Sequence, residues 1–358
     1  MTSKRIALVV GTRPEAIKMA PVYRAFRADS RANVEVISSG QHRELLQSAL
    51  ASVEMPVSVD LDVMTPGQSL NGVLAKVVER MGAHFEANPV DAVLLQGDTT
   101  TALAAAQVGY HLRIPVGHVE AGLRTYDHAH PFPEEGNRQL IDRLARWCFV
   151  PTEAERRNLR AERIDDARIF VTGNTAVDGL LWAIERSDTH LGPSTLLLTL
   201  HRRESFGGEL DAILEGLRDF LERTPEAKVI WPVHPNPEVK AAAARTLGDD
   251  ERVHMAAPMP YVAFAGALRS ARLVLTDSGG IQEEGPSLGK TVLVARERTE
   301  RPTDDARNRI VGRSREGIRD ALLSAWAEPA YAGPIPAPNP FGDGHAGRRI
   351  AELVLDTP

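Results

Sequence analysis

The feature that most constrains the fold is an alternation of short β-branched or leucine-rich runs with longer amphipathic stretches, which passes along the chain twice. Such alternation is the signature of βαβ units, and it implies parallel sheets because parallel strands need a crossover long enough to hold a helix. In the first series, strands are expected at Ile6–Val10, Val34–Ser38, Ala92–Gln96, Val116–Val119, Trp147–Val150 and Ile169–Val171. The second series begins at Thr195–Thr199 and continues with Val229–Val233, Val253–Ala256, Leu273–Thr276 and Val292–Val294. Pro14–Ala28 reads as a helix with proline in its first turn, and Gln68–Glu86 as a helix stopped by Asn88-Pro89. With 358 residues, 43% of them hydrophobic, the chain can fill two cores. The expected boundary falls in the Thr172–Ser194 region, giving an N-terminal domain over 1–172 and a C-terminal domain over 173–340. Residues 329–340, rich in Pro and Ala, read as a tether, after which a helix at about 346–358 is expected to pack back on the first domain.

Several classes are excluded early. No apolar run approaches the roughly 20 residues needed to span a bilayer. The apolar stretch near the N-terminus runs into Gly11-Thr12-Arg13-Pro14 with no small-residue cleavage site, so it reads as a first strand rather than a signal peptide. A net charge of -6 lacks the basic surplus of a nucleic-acid protein. The single cysteine, Cys148, excludes an intrachain disulfide and a multi-cysteine metal site, and its apolar neighbours mark it as a core filler. No His/Asp/Glu spacing resembles a metal site, and the cytoplasm is the default compartment.

The unusual polar residues cluster just past the expected strands. Gly11-Thr12-Arg13, Gln41-His42-Arg43, Gly97-Asp98-Thr99-Thr100 and Glu120-Ala121-Gly122 do so in the first half. His201-Arg202-Arg203-Glu204, His234-Pro235-Asn236 and Asp277-Ser278-Gly279-Gly280 do so in the second. Open parallel sheets bind ligands outside the carboxyl ends of their strands, so two such sheets imply one ligand cleft built from both. Gly11–Glu15 lacks the G-x-G-x-x-G spacing of a dinucleotide fingerprint, which counts against a nicotinamide cofactor.

Each motif also has a plainer reading. Ser278-Gly279-Gly280 before a helix can admit an anion to backbone N–H groups, or be an ordinary βα turn. Glu284 can accept from a ribose diol, or simply stabilise the helix start. Arg13 and Lys18 can reach a phosphate, or be solvated helix residues. Asp98, Glu120 and Glu134 are candidate acids and bases, against helix-capping or dipole roles for Asp98 and Glu134. His201 and His234 can donate to phosphate or shuttle a proton.

Taken together, these motifs closely resemble the non-hydrolysing UDP-N-acetylglucosamine 2-epimerases over nearly the whole chain. The carriers are Gly11-Thr12-Arg13-Pro14-Glu15-Ala16-Ile17-Lys18, Gln41-His42-Arg43-Glu44, Gly97-Asp98-Thr99-Thr100 and His118-Val119-Glu120-Ala121-Gly122-Leu123-Arg124. Further carriers are Pro133-Glu134-Glu135, Asn137-Arg138, Thr172-Gly173-Asn174-Thr175, His201-Arg202-Arg203-Glu204, Ser278–Glu284 and Thr299-Glu300-Arg301-Pro302.

The resemblance implies a GT-B fold, two Rossmann-like parallel-sheet domains facing a central cleft. It implies that Arg13, Lys18, His201, Ser278, Gly279, Gly280, Glu284 and Arg301 bind the UDP moiety, with His42 and Arg202 also on the substrate side and Phe264 lining the uracil pocket. Asp98, Glu120 and Glu134 match the family's acid/base carboxylates, and His201 joins them as a catalytic candidate. No redox cofactor or metal is implied, and a homodimer is.

The C2 proton of the sugar is not acidic, so direct abstraction is too slow. Breaking the C1–O bond to UDP first places positive charge at C1 and acidifies C2–H, leading to a 2-acetamidoglucal and UDP. Re-addition with protonation from the opposite face inverts C2. Glu120 and Glu134 are the expected proton carriers, with Asp98 more structural or electrostatic.

Three departures stand out. Met259 replaces a polar residue near the base. Thr303-Asp304-Asp305 follows Arg301-Pro302 where relatives continue with Glu, which leaves sugar-substituent preference open. Glu44 and Pro66-Gly67 do not match members activated by a second UDP-sugar, so weak or absent allostery is expected. A hydrolysing epimerase, a GT-B glycosyltransferase and a nucleotide-sugar sensor are the competing readings.

Overall fold

A computed structural model describes the chain except residues 1–2, 41–42, 66, 201–207, 234–235, 300, 302–305, 332, 334–335, 337–338, 340 and 358, and except the side chains of residues 43–45 and 238. Two compact units divide it, Met1–Leu181 with Pro338–Pro358, and Trp182–Ala337. Among the described residues no helix is long and apolar enough to cross a membrane.

The first unit runs β1 (Lys4–Val10), α1 (Arg13–Ala28), β2 (Ala32–Ser38), α2 (Arg43–Ser52), β3 (Val59–Asp60), α3 (Leu70–Ala87), β4 (Ala92–Gln96), α4 (Thr100–His111), β5 (Val116–Val119), α5 (Glu134–Leu144), β6 (Trp147–Val150), α6 (Glu153–Ala161), β7 (Ile169–Val171) and α7 (Thr175–Glu185), in which the change of unit falls. Its seven strands form one sheet in the order β3-β2-β1-β4-β5-β6-β7, every pairing parallel. The central strands β4 and β6 are buried, largely apolar runs because both faces are covered. On α3, Val73, Val77, Met81 and Phe85 recur every four residues and are all buried, each contributing about 1.5–3 kcal/mol through burial. Cys148 is a buried free thiol in β6, and burial raises its pKa.

The second unit runs β8 (Thr195–Thr199), α8 (Gly208–Arg223), β9 (Lys228–Pro232), α9 (Pro237–Leu247), β10 (Val253–Ala256), α10 (Tyr261–Ser270), β11 (Leu273–Thr276), α11 (Ile281–Ser287), β12 (Val292–Val294), β13 (Asn308–Ile310) and α12 (Arg315–Ala327). Its sheet has the order β10-β9-β8-β11-β12-β13, again all parallel. Its core gathers Trp231, Phe220 and Trp326 with leucines of β8, α8 and β11.

The last helix, α13 (Ala346–Asp356), belongs to the first unit. Ala346, Gly347, Ile350, Ala351, Val354 and Leu355 form its buried face. Gly347 is required there: a Cβ would stand 2.7 Å from the Pro21 carbonyl carbon in α1. Gly347 N–H donates to Asp178 Oδ1 at 2.8 Å, and Arg31 pairs with Asp356 at 2.7 Å.

Two strands were not expected from sequence, the edge strands β3 and β13, of two and three residues. They are too short to carry a periodic pattern. α5 begins at Glu134, with Glu134 and Glu135 in its first turn, where carboxylates suit the helix dipole.

Candidate functional site

In the first unit, strand order reverses direction between β1 and β4, and the loops that follow these strands lie side by side at the switch point. Glu15 ties them together. Its Oε2 accepts from Gly11 N–H at 3.0 Å and from the Thr12 hydroxyl at 2.7 Å, while Oε1 accepts from the Thr99 hydroxyl at 2.8 Å. Burial pushes the Glu15 carboxyl up, and the hydrogen bonds from Thr12, Thr99 and Gly11 only partly offset it.

Lys18, one turn further along α1, forms a buried ion pair with Glu120 just past β5. Gln96, the last residue of β4, donates to the same Glu120 oxygen at 3.1 Å. Glu120 itself has φ 67°, a left-handed conformation that is uncommon for a non-glycine residue and costs about 1–3 kcal/mol.

Asp98 follows β4 and is held by α5. Arg138 donates to its Oδ2 at 2.7 Å, and the Asn137 amide donates to its main-chain carbonyl at 2.8 Å. Glu134 opens that helix and is half-buried. Its neighbour Glu135 is fully buried, accepting from Thr125 N–H at 3.0 Å and Tyr126 N–H at 3.1 Å. Burial raises the Glu135 carboxyl, but the bonds from Thr125, Gln139 and Tyr126 and the nearby charge of Arg138 outweigh it and hold its pKa below the ordinary range. A cavity of about 700 Å³ between α2 and β2–β3 is lined by Gln47, Leu50, Met55 and Asp60 among others, and none of Asp98, Glu120 and Glu134 lines it.

In the second unit the equivalent neighbours are β8 and β11, whose last residues Thr199 and Thr276 share a hydroxyl hydrogen bond of 2.6 Å. Ser278 N–H donates to Thr276 Oγ1 at 3.0 Å, setting the Ser278-Gly279-Gly280 turn ahead of α11. A Cβ placed on Gly280 would meet nothing within 4 Å among the described residues, so the turn is open on that side. Glu284 is buried and accepts from the Tyr261 hydroxyl at 3.0 Å. Phe264 stands three residues along α10 from Tyr261, half-buried. The Arg301 guanidinium lies 3.1 Å from Glu283, and Thr299 links the same loop to α11 by donating to Gln282 at 2.7 Å.

Of the residues singled out in sequence, the first unit brings Lys18 and Glu120 into contact, fixes Asp98 through α5, and places Arg13 at the start of α1. The second unit gathers Ser278, Gly279, Gly280 and Glu284 at one strand end, with Arg301 on the adjoining loop. His42, His201 and Arg202 lie outside the described residues, as do His234, Pro66 and Thr303–Asp305. Sequence reasoning gave no role to Glu15, Gln96, Glu135, Arg138 or His118. The signal for Arg138 was present: once the helix starts at Glu134, positions 134, 135 and 138 share a face. Among the described residues no group of three or more His, Cys, Asp or Glu is placed to hold a metal ion.

Carboxylates and cations at the strand ends of two Rossmann-like parallel sheets define an α/β enzyme equipped for acid–base chemistry. The family model for UDP-N-acetylglucosamine 2-epimerase matches residues 24–355, and the chain belongs to that family of isomerases. The UDP-N-acetylglucosamine 2-epimerase of Yersinia pestis is 43% identical, with 98% of each chain covered. The UDP-GlcNAc 2-epimerase of Neisseria meningitidis, solved bound to UDP-GlcNAc, is similar at TM-score 0.88 and 34% identity, covering 99% of this chain and 100% of that one. The S. aureus MnaA–UDP structure is similar at TM-score 0.90 and 35% identity, covering 98% of this chain and 96% of that one. The fold class expected from sequence, two Rossmann-like parallel-sheet domains of GT-B type, is the one observed.

Proposed function

We propose that this chain interconverts UDP-N-acetylglucosamine and UDP-N-acetylmannosamine without net hydrolysis, by eliminating UDP to a 2-acetamidoglucal and adding it back. The observation that carries this reading is the convergence of Asp98 and Glu120, each with a cationic partner, on the strand ends of a sheet whose family relatives hold UDP-GlcNAc.

In the forward half, the C1–O bond breaks heterolytically, its electron pair leaving on the UDP β-phosphate oxygen. Charge at C1 acidifies C2–H, a carboxylate takes that proton, and the C2–H pair becomes the C1=C2 double bond of the glucal. In the return half, a proton reaches C2 from the opposite face and the phosphate oxygen re-attacks C1. Glu120 and Glu134 carry the C2 protons in this scheme. Asp98, held by Arg138, serves as a structural or electrostatic group. The pairing with Glu120 gives Lys18 a second duty, compensating a carboxylate in a desolvated setting.

Loss of UDP is assisted by Arg13, His201 and the open Ser278-Gly279-Gly280 turn, with Arg202, His42 and Arg301 on the substrate side. Glu284, oriented by Tyr261, accepts from the ribose diol, and Phe264 faces the uracil. The enzyme works as a cytoplasmic homodimer supplying N-acetylmannosamine units for polysaccharide synthesis, a reading that rests on the family resemblance.

Incubation with UDP-GlcNAc, followed by ³¹P and ¹H NMR, tests the outcome. An equilibrium mixture of the two UDP-sugars with little free UDP is expected. UDP released in step with free N-acetylmannosamine contradicts it and selects a hydrolysing enzyme. No turnover contradicts both.

A further inference from the structure

His118 is the one polar side chain in β5, and it is fully buried. Its Nδ1 lies 2.6 Å from Asp142 Oδ1 and its Nε2 lies 2.7 Å from the Gly97 main-chain oxygen. A carbonyl and a carboxylate only accept, so the ring donates from both nitrogens. Asp142, also fully buried, accepts from Arg124 at 2.7 Å and from Gly122 N–H at 3.3 Å on its other oxygen. Burial raises the Asp142 carboxyl, and His118 and Arg124 outweigh it and keep its pKa below the ordinary range. Arg124 is held in turn by both oxygens of Glu162, at 2.6 and 2.9 Å.

The consequence is geometric. Asp142 sits on α5, the helix that Glu134 opens, and reaches the Glu120-Ala121-Gly122 loop directly through Gly122 N–H. Through His118 it also reaches the Gly97 carbonyl, next to Asp98. Gly97 is in the left-handed region at φ 72°, where no side chain of its own steers the turn. The three segments that carry Asp98, Glu120 and Glu134 therefore meet at one buried carboxylate, with His118 as the strut to the first of them.

We propose that His118 is a positioning residue, which aims the Asp98 carboxylate by gripping the Gly97 carbonyl against Asp142. This rests on the reading that Asp98 takes part in the reaction. Two variants separate the strut from mere packing. Asparagine places its amide near Nδ1 and keeps a donor for Asp142; glutamine reaches the Nε2 position and keeps a donor for Gly97.

In a crystal structure of His118→Asn, the Gly97–Asp98 turn is expected to shift by about 1 Å, and kcat to fall about 10²-fold with KM and UDP affinity unchanged. His118→Gln is expected to keep the turn and most of kcat while losing more in Tm, because it abandons buried Asp142. Equal kcat in the two folded variants, or an undisplaced Asp98 in His118→Asn, overturns the proposal. Asp98→Asn tests the underlying reading separately. Wild-type kcat in that variant removes Asp98 from the reaction, whereas the shift of the turn in His118→Asn is read from coordinates alone.

Discussion

Lys18 and Glu120, 102 residues apart in sequence, form an ion pair with side chains only 10% and 5% exposed. Removing one member of such a pair leaves the other charge poorly solvated, which generally costs about 3–5 kcal/mol, whereas removing both is far milder. Lys18→Met is therefore expected to lower unfolding stability by that order in urea titrations. Glu120→Gln in the same background should recover much of the loss. A double-variant loss equal to the sum of the two single-variant losses would show that the pair is not energetically coupled.

Exchange of each carboxylate for its amide tests the division of labour. Glu120→Gln and Glu134→Gln are expected to lower kcat by about 10²–10⁴, the usual worth of a positioned acid or base, with UDP binding intact by calorimetry. Asp98→Asn, which removes an electrostatic group, should lower kcat by about 10²-fold, the lower end of that range. A loss confined to KM would reassign any of the three to substrate binding.

The strand pattern of this fold was largely legible in the sequence. Ala92–Gln96, Trp147–Val150 and Leu273–Thr276 have the same bounds in both readings, because buried parallel strands are unbroken apolar runs between polar turns. Val59–Asp60 and Asn308–Ile310 were not legible, since edge strands of this length are defined by the neighbour they pair with. The same holds within the site. Glu120 could be picked out from its strand-end position, but nothing local to α1 says that Lys18 points at it rather than at a ligand. His118 stood in plain view within His118–Arg124, and only its contacts to Gly97 and Asp142 give it a task.

Glu15 makes stability depend on pH in an identifiable direction. Its carboxyl is raised above its ordinary 4.5, desolvation being the chief cause. Between 4.5 and the raised value the folded state keeps a proton that the unfolded chain has released, so this contribution falls as pH rises through that window. The stability difference between wild type and Glu15→Gln should accordingly shrink as pH is raised from 4.5 in urea unfolding series. A difference that grows with pH would mean that Glu15 is held ionised.

Tyr261 and Glu284 offer a test confined to the second unit. Tyr261→Phe removes the 3.0 Å hydrogen bond that orients Glu284. A bond to a charged group contributes about 1.5–3 kcal/mol, so UDP affinity is expected to weaken roughly tenfold or more by calorimetry. Unchanged affinity would take Glu284 out of the UDP site.

The C-terminal helix is a structural member of the first unit. Ile350, fully buried on the face of α13, should cost about 2–5 kcal/mol as Ile350→Ala, measured by urea unfolding. A change below about 0.5 kcal/mol, typical of surface positions, would show that α13 is not docked in solution.

The most direct test of the elimination–addition reading is turnover of UDP-GlcNAc in D2O, followed by NMR of the UDP-sugars. UDP-N-acetylmannosamine carrying deuterium at C2 is expected, with deuterium also entering the UDP-GlcNAc pool as the reaction reverses. Product that keeps its original C2 proton, or stoichiometric UDP with free sugar, would contradict it.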